Sequence, residues 1–109
     1  MFDIRDYERE NGVRPFQRWF NSLNTPAALK VTTALSRLEK GNFSNVKGVG
    51  QGVSEYKIDF GPGYRVYFGK DGDQIVILLA GGTKKRQGAD IEQAKQDWKE
   101  YKLRKRKEN

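Results

Sequence analysis

The first apolar residues of the chain fall at every second position. Phe2 and Ile4 alternate with Asp3 and Arg5, a period of two that predicts a strand over residues 2–7. The period then lengthens. Phe16, Trp19, Phe20 and Leu23 recur at helical spacing, and Pro15 suits the first turn of that helix, where a missing N–H costs nothing. Asn24-Thr25-Pro26 reads as a break and a new start, with Thr25 as the expected N-cap. Ala28, Val31, Leu35 and Leu38 form the next apolar face, and Gly41 closes that helix. Gly48, Gly50 and Gly52 read as a loop.

The period returns to two over residues 53–80. Tyr56, Ile58 and Phe60 alternate with Glu55, Lys57 and Asp59; Gly61-Pro62-Gly63 is a turn signal; Tyr64, Val66 and Phe68 then alternate with Arg65 and Tyr67. A three-residue hairpin loop at 61–63 would pair Phe60 with Tyr64, Ile58 with Val66 and Tyr56 with Phe68. All six apolar residues then share one face, and Lys57, Asp59, Arg65 and Tyr67 share the other. Lys70-Asp71-Gly72-Asp73 carries a second hairpin signal. Residues 74–80 are nearly all apolar, as expected of a central strand covered on both faces. After a loop at 81–88, Asp90 is the expected cap of a last helix that presents Ile91, Ala94, Trp98 and Tyr101 on one side. The predicted architecture is α+β: an N-terminal strand, two helices, a three-stranded meander and a C-terminal helix, with an antiparallel sheet carrying two helices on one face.

A length of 109 residues fits one domain, 1–109, and 36% hydrophobic against 32% charged residues implies a thin core. There is no cysteine, which excludes disulfides, zinc-thiolate sites and a thiol nucleophile, and no histidine, which excludes an imidazole base. The longest apolar run, near Ile75 to Ala80, is too short to span a bilayer, and the N-terminus lacks a signal-peptide pattern, so a cytoplasmic protein without membrane contact is expected. The net charge of +7 is uneven: residues 84–109 hold ten basic and five acidic side chains. A basic end of this kind favours a polyanionic partner, either nucleic acid or an acidic protein surface.

Charge gathers in one candidate site. Lys57, Asp59, Arg65 and Tyr67 share a sheet face beside the Lys84-Lys85-Arg86 loop. The structural reading is a cross-strand Asp59–Arg65 ion pair worth at most about 1 kcal/mol. The functional reading is a phosphate site, with Arg65 and Lys57 as fixed positive charge and the Lys84–Arg86 loop closing one side. Tyr67 is the one aromatic placed on this face and hence the candidate for base stacking. Trp19, Phe16 and Phe20 belong to the core, and Trp98 and Tyr101 to the docking face of the last helix. Gly48–Gly52 lacks the Gly-Lys-Ser/Thr ending of a P-loop, and Gly81-Gly82 reads as a strand exit. Only Asp59 among the carboxylates shares the charged face, so no metal and no cofactor are expected.

Glu55-Tyr56-Lys57-Ile58-Asp59, Gly63-Tyr64-Arg65-Val66-Tyr67-Phe68 and Ile77-Leu78-Leu79-Ala80-Gly81-Gly82-Thr83-Lys84-Lys85, followed by Asp90-Ile91, resemble the RelE/ParE/HigB superfamily of type II toxins, in its phage-derived addiction-module killer branch. The resemblance spans essentially the whole chain. It implies a RelE-like fold and a toxin neutralised by an antitoxin that carries a helix-turn-helix domain, with DNA reached only through that antitoxin. It also implies a ribosome-dependent mRNA endoribonuclease that uses no metal, or, in the ParE-like alternative, a non-nuclease that binds DNA gyrase. A third possibility is a catalytically degenerate member kept for antitoxin binding or regulation. By position, Arg65 matches the family's central catalytic arginine, Lys57 a basic position on the preceding strand, and Lys85, or its neighbours Lys84 and Arg86, the basic site after the last strand. Two departures stand out. Asp59 occupies the place of a second lysine, and Ile91 falls near that of a functional tyrosine.

Overall fold

The alternation over residues 53–71 sets the architecture, because it gives two adjacent strands one apolar face and one mixed face. In the computed structural model, which describes residues 1–108, the elements are β1 (Asp3–Asp6), α1 (Pro15–Asn21), α2 (Thr25–Glu39), β2 (Val46–Gly50), β3 (Val53–Ile58), β4 (Tyr64–Asp71), β5 (Ile75–Thr83) and α3 (Gln87–Glu108), with a 3-10 turn at Lys84–Arg86 leading into α3. The strands form one sheet in the order β1-β5-β4-β3-β2. The sheet is mixed: β1 runs parallel to β5, and the other pairings are antiparallel. The expected all-antiparallel sheet is therefore corrected at its N-terminal edge. The chain returns to the sheet after two helices, and such a crossover permits a parallel neighbour where a tight hairpin would not.

The meander has four strands, not three. Val46–Gly50, expected as a loop, is edge strand β2, paired with β3 and irregular between Gly48 and Gly50. Its glycines weaken any strand pattern, and they sit where an edge strand bulges. Val46 and Val49 anchor it by packing on opposite faces of the sheet.

The β3–β4 register differs by two residues from the expected one. Ile58 pairs with Tyr64, Tyr56 with Val66 and Ser54 with Phe68, so the connection spans 59–63. A shift of two preserves which face each side chain takes. Tyr56, Ile58, Val66 and Phe68 are accordingly buried in the core beneath α1 and α2, with Phe60 and Tyr64 packed against it. Phe16, Val31, Ala34 and Leu38 close that core from the helices, and each fully buried large apolar side chain contributes about 1.5–3 kcal/mol. The cap of α2 is Asn24, whose side chain accepts from the Ala27 N–H at 2.9 Å; the expected cap Thr25 lies inside the helix.

α3 covers the opposite face. Ala94 and Trp98 are buried with Val53, Tyr67, Ile77 and Leu79, and Ile91 and Tyr101 pack alongside, as the helical spacing predicted. β5, an interior strand between β1 and β4, is buried on both sides through Val76–Leu79. Two indoles lie on strand glycines: a Cβ at Gly81 would fall 2.0 Å from the Trp19 ring, and one at Gly69 would fall 2.7 Å from the Trp98 ring. The last turns of α3 are tied to the β4–β5 hairpin. Asp71 accepts from the Tyr101 hydroxyl at 2.5 Å and pairs with Lys105. Among the described residues no helix is long and apolar enough to cross a membrane.

Candidate functional site

α3 covers only part of its sheet face. Beyond its first turn the mixed face of β2, β3 and β4 stays open, and alternation delivers Lys47, Glu55, Lys57 and Arg65 to it. These side chains, with Ser44, Asn45, Val46 and Asp59, line a cavity of about 520 Å³. Lys57 and Arg65 are direct neighbours across the β3–β4 pair. Asp59 lies past the end of β3 and is not opposite Arg65, which corrects the expected ion pair.

The carboxylate beside Arg65 is Glu55. Arg65 Nε faces Glu55 Oε1 at 3.6 Å, and both side chains are buried, 6% and 1% exposed. The Glu55 carboxylate also accepts from Gln87 Nε2 at 2.7 Å and faces Lys47 Nζ at 3.9 Å. Sequence reasoning missed Glu55 and Gln87. The available signal was position: Glu55 lies two residues before Lys57 and so on the same face. Arg65 Nη1 donates to the Gly63 carbonyl at 2.8 Å, and the same oxygen accepts from the Lys84 N–H at 2.9 Å. One carbonyl thus fixes the guanidinium and fastens the 3-10 turn to the β3–β4 connection. Gly63 has φ +78°, a conformation that calls for glycine, and a Cβ there would press on Arg65 Nη1 at 3.2 Å.

Nε of Arg65 has no hydrogen-bond partner among the described residues. A guanidinium carries five N–H donors, and one is taken by Gly63. Nε is itself buried against Glu55, so the guanidinium is held in place on the cavity wall and its Nη side is the part that can face an oxyanion there.

The remaining expected residues divide. Lys84, Lys85 and Arg86 are exposed and none lines the cavity; the turn reaches the site through its backbone. Tyr67 is completely buried beneath α3 and cannot stack a base, which overturns that expectation. The alternation placed Tyr67 on the correct face, but α3 covers this stretch of it. Its hydroxyl has no hydrogen-bond partner among the described residues. Burial first, then the nearby Glu55 and Asp90 charges, hold the phenol neutral by raising its pKa. Asp90 is not the cap expected of it. It lies within the first turn of α3 against Gly82, where a Cβ would fall 1.9 Å from its Oδ2. Burial raises its pKa, opposed by Arg86.

Residues 18–100 match the family described as phage derived protein Gp49-like (DUF891), and this segment contains the whole cavity. A protein of Haemophilus influenzae described as uncharacterized is 44% identical over 81 residues, covering 73% of this chain and 82% of the relative. The chain belongs to the Gp49-like phage-derived family.

Proposed function

We propose that this Gp49-like chain is the toxin of a type II toxin–antitoxin pair, and that it acts as a ribosome-dependent mRNA endoribonuclease. The observation that carries the reading is Arg65: buried, fixed by the Gly63 carbonyl and Glu55, and set into a cavity beside Lys57 and Lys47. In the reaction an RNA 2′-hydroxyl attacks the adjacent phosphorus. The bond to the 5′-oxygen breaks, a cyclic phosphate forms, and the proton lost by the attacking oxygen is balanced by one gained by the leaving oxygen. Arg65 and Lys57 stabilise the charge that develops on the phosphate oxygens. Preorganised donors of this kind supply most of the rate enhancement in many enzymes. Glu55 positions Arg65. Asp59 is the exposed carboxylate on the cavity wall. The partners of this reading are the ribosome with its mRNA, and a cognate antitoxin with a helix-turn-helix domain.

The test is mapping of mRNA 5′ ends after purified protein meets actively translating ribosomes, with a ribosome-free control and an Arg65→Ala arm. New ends within A-site codons, lost in the variant and absent without ribosomes, are expected. Intact mRNA alongside growth arrest in cells would overturn the nuclease reading and favour a protein target such as gyrase. Because Arg65→Ala leaves Glu55 buried beside an empty place, the double variant Glu55→Gln/Arg65→Ala is run in parallel.

A further inference from the structure

A second cavity, of about 250 Å³, lies between α2 and the end of β3. Lys30, Thr33, Ala34 and Arg37 form its α2 side, and Tyr56, Ile58 and Phe60 form its floor. Asn45, Lys57 and Asp59 line both this cavity and the one that holds Arg65. The two therefore meet, and the strand order explains where. β2 starts at Val46, opposite Tyr56, and the Lys57 N–H to Asn45 carbonyl bond of 3.1 Å is the outermost tie. Past that point the β2 side of β3 has no neighbouring strand, and the two cavities adjoin across this edge, one toward each face of the sheet, as the two halves of a groove.

The charge along the groove has one sign in excess: Lys30, Arg37 and Lys57 against Asp59. None of these three cations is in an ion pair among the described residues. Lys30 and Arg37 stand seven residues apart on one face of α2, about 10 Å along its axis. Phe60, beneath Lys30 at 5.2 Å, supplies an aromatic wall. A cationic groove with an aromatic wall is how sequence-tolerant proteins follow a single nucleic-acid strand.

From this juxtaposition we propose that a single-stranded RNA crosses the free edge of β3 at Lys57–Asp59, with one phosphate at Arg65 and a neighbouring one held by Lys30 and Arg37 in the α2 cavity. The inference rests on the nuclease reading above and adds to it a path for the substrate strand. It makes Lys30 and Arg37 binding residues that touch no reacting atom.

Two measurements test it. In the first, lysine acetylation is mapped on the wild-type protein with a short 2′-O-methyl RNA, with polyglutamate, or alone. Several-fold protection of Lys30 and Lys57 by the RNA is expected, with Lys99 on α3 unchanged. No protection by RNA, or protection by polyglutamate in its place, overturns the proposal; the latter outcome makes the groove a site for an acidic polypeptide. In the second, Lys30→Glu/Arg37→Glu is assayed on programmed ribosomes. The proposal expects KM to rise about tenfold or more with kcat unchanged, and the salt dependence of kcat/KM to become shallower by about 0.7 per lost phosphate contact. Wild-type KM in a folded double variant overturns the path while leaving the nuclease reading intact. RNA protection without any cleavage by the wild type overturns the nuclease reading while leaving the path intact.

Discussion

The two faces of the sheet are made by the same strands and serve different ends. Beneath α1 and α2 lie Tyr56, Ile58, Val66 and Phe68, an apolar surface that the helices cover. On the other face α3 covers Val53, Tyr67, Ile77 and Leu79 but leaves Lys47, Glu55, Lys57 and Arg65 around an open cavity. The contrast shows how a small domain keeps a charged site on its central strands. One face supplies most of the burial. The other needs only a partial lid, and the uncovered remainder can carry groups that a closed core would neutralise.

The largest effect should come from the closed face. Phe68→Ala is expected to destabilise by about 3–5 kcal/mol, read as a fall in the urea midpoint, whereas Lys57→Ala on the open face should stay within about 0.5 kcal/mol. Equal losses would mean that the two faces do not divide the work as described. The glycine seats come next. Gly81→Ala places a methyl inside the Trp19 ring and should cost about 1–3 kcal/mol or more, while a Trp19→Ala partner substitution should recover part of that cost in the double variant.

The smallest effect concerns how α3 is fastened. The bonds from Lys105 and then Tyr101 hold the Asp71 carboxyl below its ordinary 3.8. That contribution is present above the unfolded value and is lost as pH falls through the lower folded one. Burial, then the Asp71 bond, pushes Tyr101 up to about 12, so its contribution is present below the unfolded value of 10.0 and is lost as pH rises through about 12. Trp98 emission in a Trp19→Phe background should be flat between these limits and change outside them. Asp71→Asn should remove the acid limb; an unchanged acid limb would show that another group fastens the helix.

Much of this was legible in the sequence, for reasons that can be named. Period-two alternation survives a register error of two, so the face of Lys57 and Arg65 could be read even though the pairing was wrong. The apolar run of β5 announced a doubly covered strand. Glycine-rich β2 could not be read, because a short edge strand with Gly48 and Gly50 lacks a strand pattern. Nor could the reach of α3 along the sheet, which is what buries Tyr67. Glu55 went unnoticed because its partners, Arg65 and Gln87, are ten and 32 residues away and meet it only in the fold.

The central claim is that Arg65, held ready on the open face, stabilises charge on a phosphate. Single-turnover cleavage of mRNA on programmed ribosomes by wild type, Arg65→Lys and Arg65→Ala tests it most directly, with circular dichroism confirming that each is folded. The account predicts a fall of about 10²–10³ in the rate for Arg65→Ala, a smaller fall for Arg65→Lys, and little change in apparent affinity. Folded variants that cut at the wild-type rate would contradict it and move the chemistry away from this cavity.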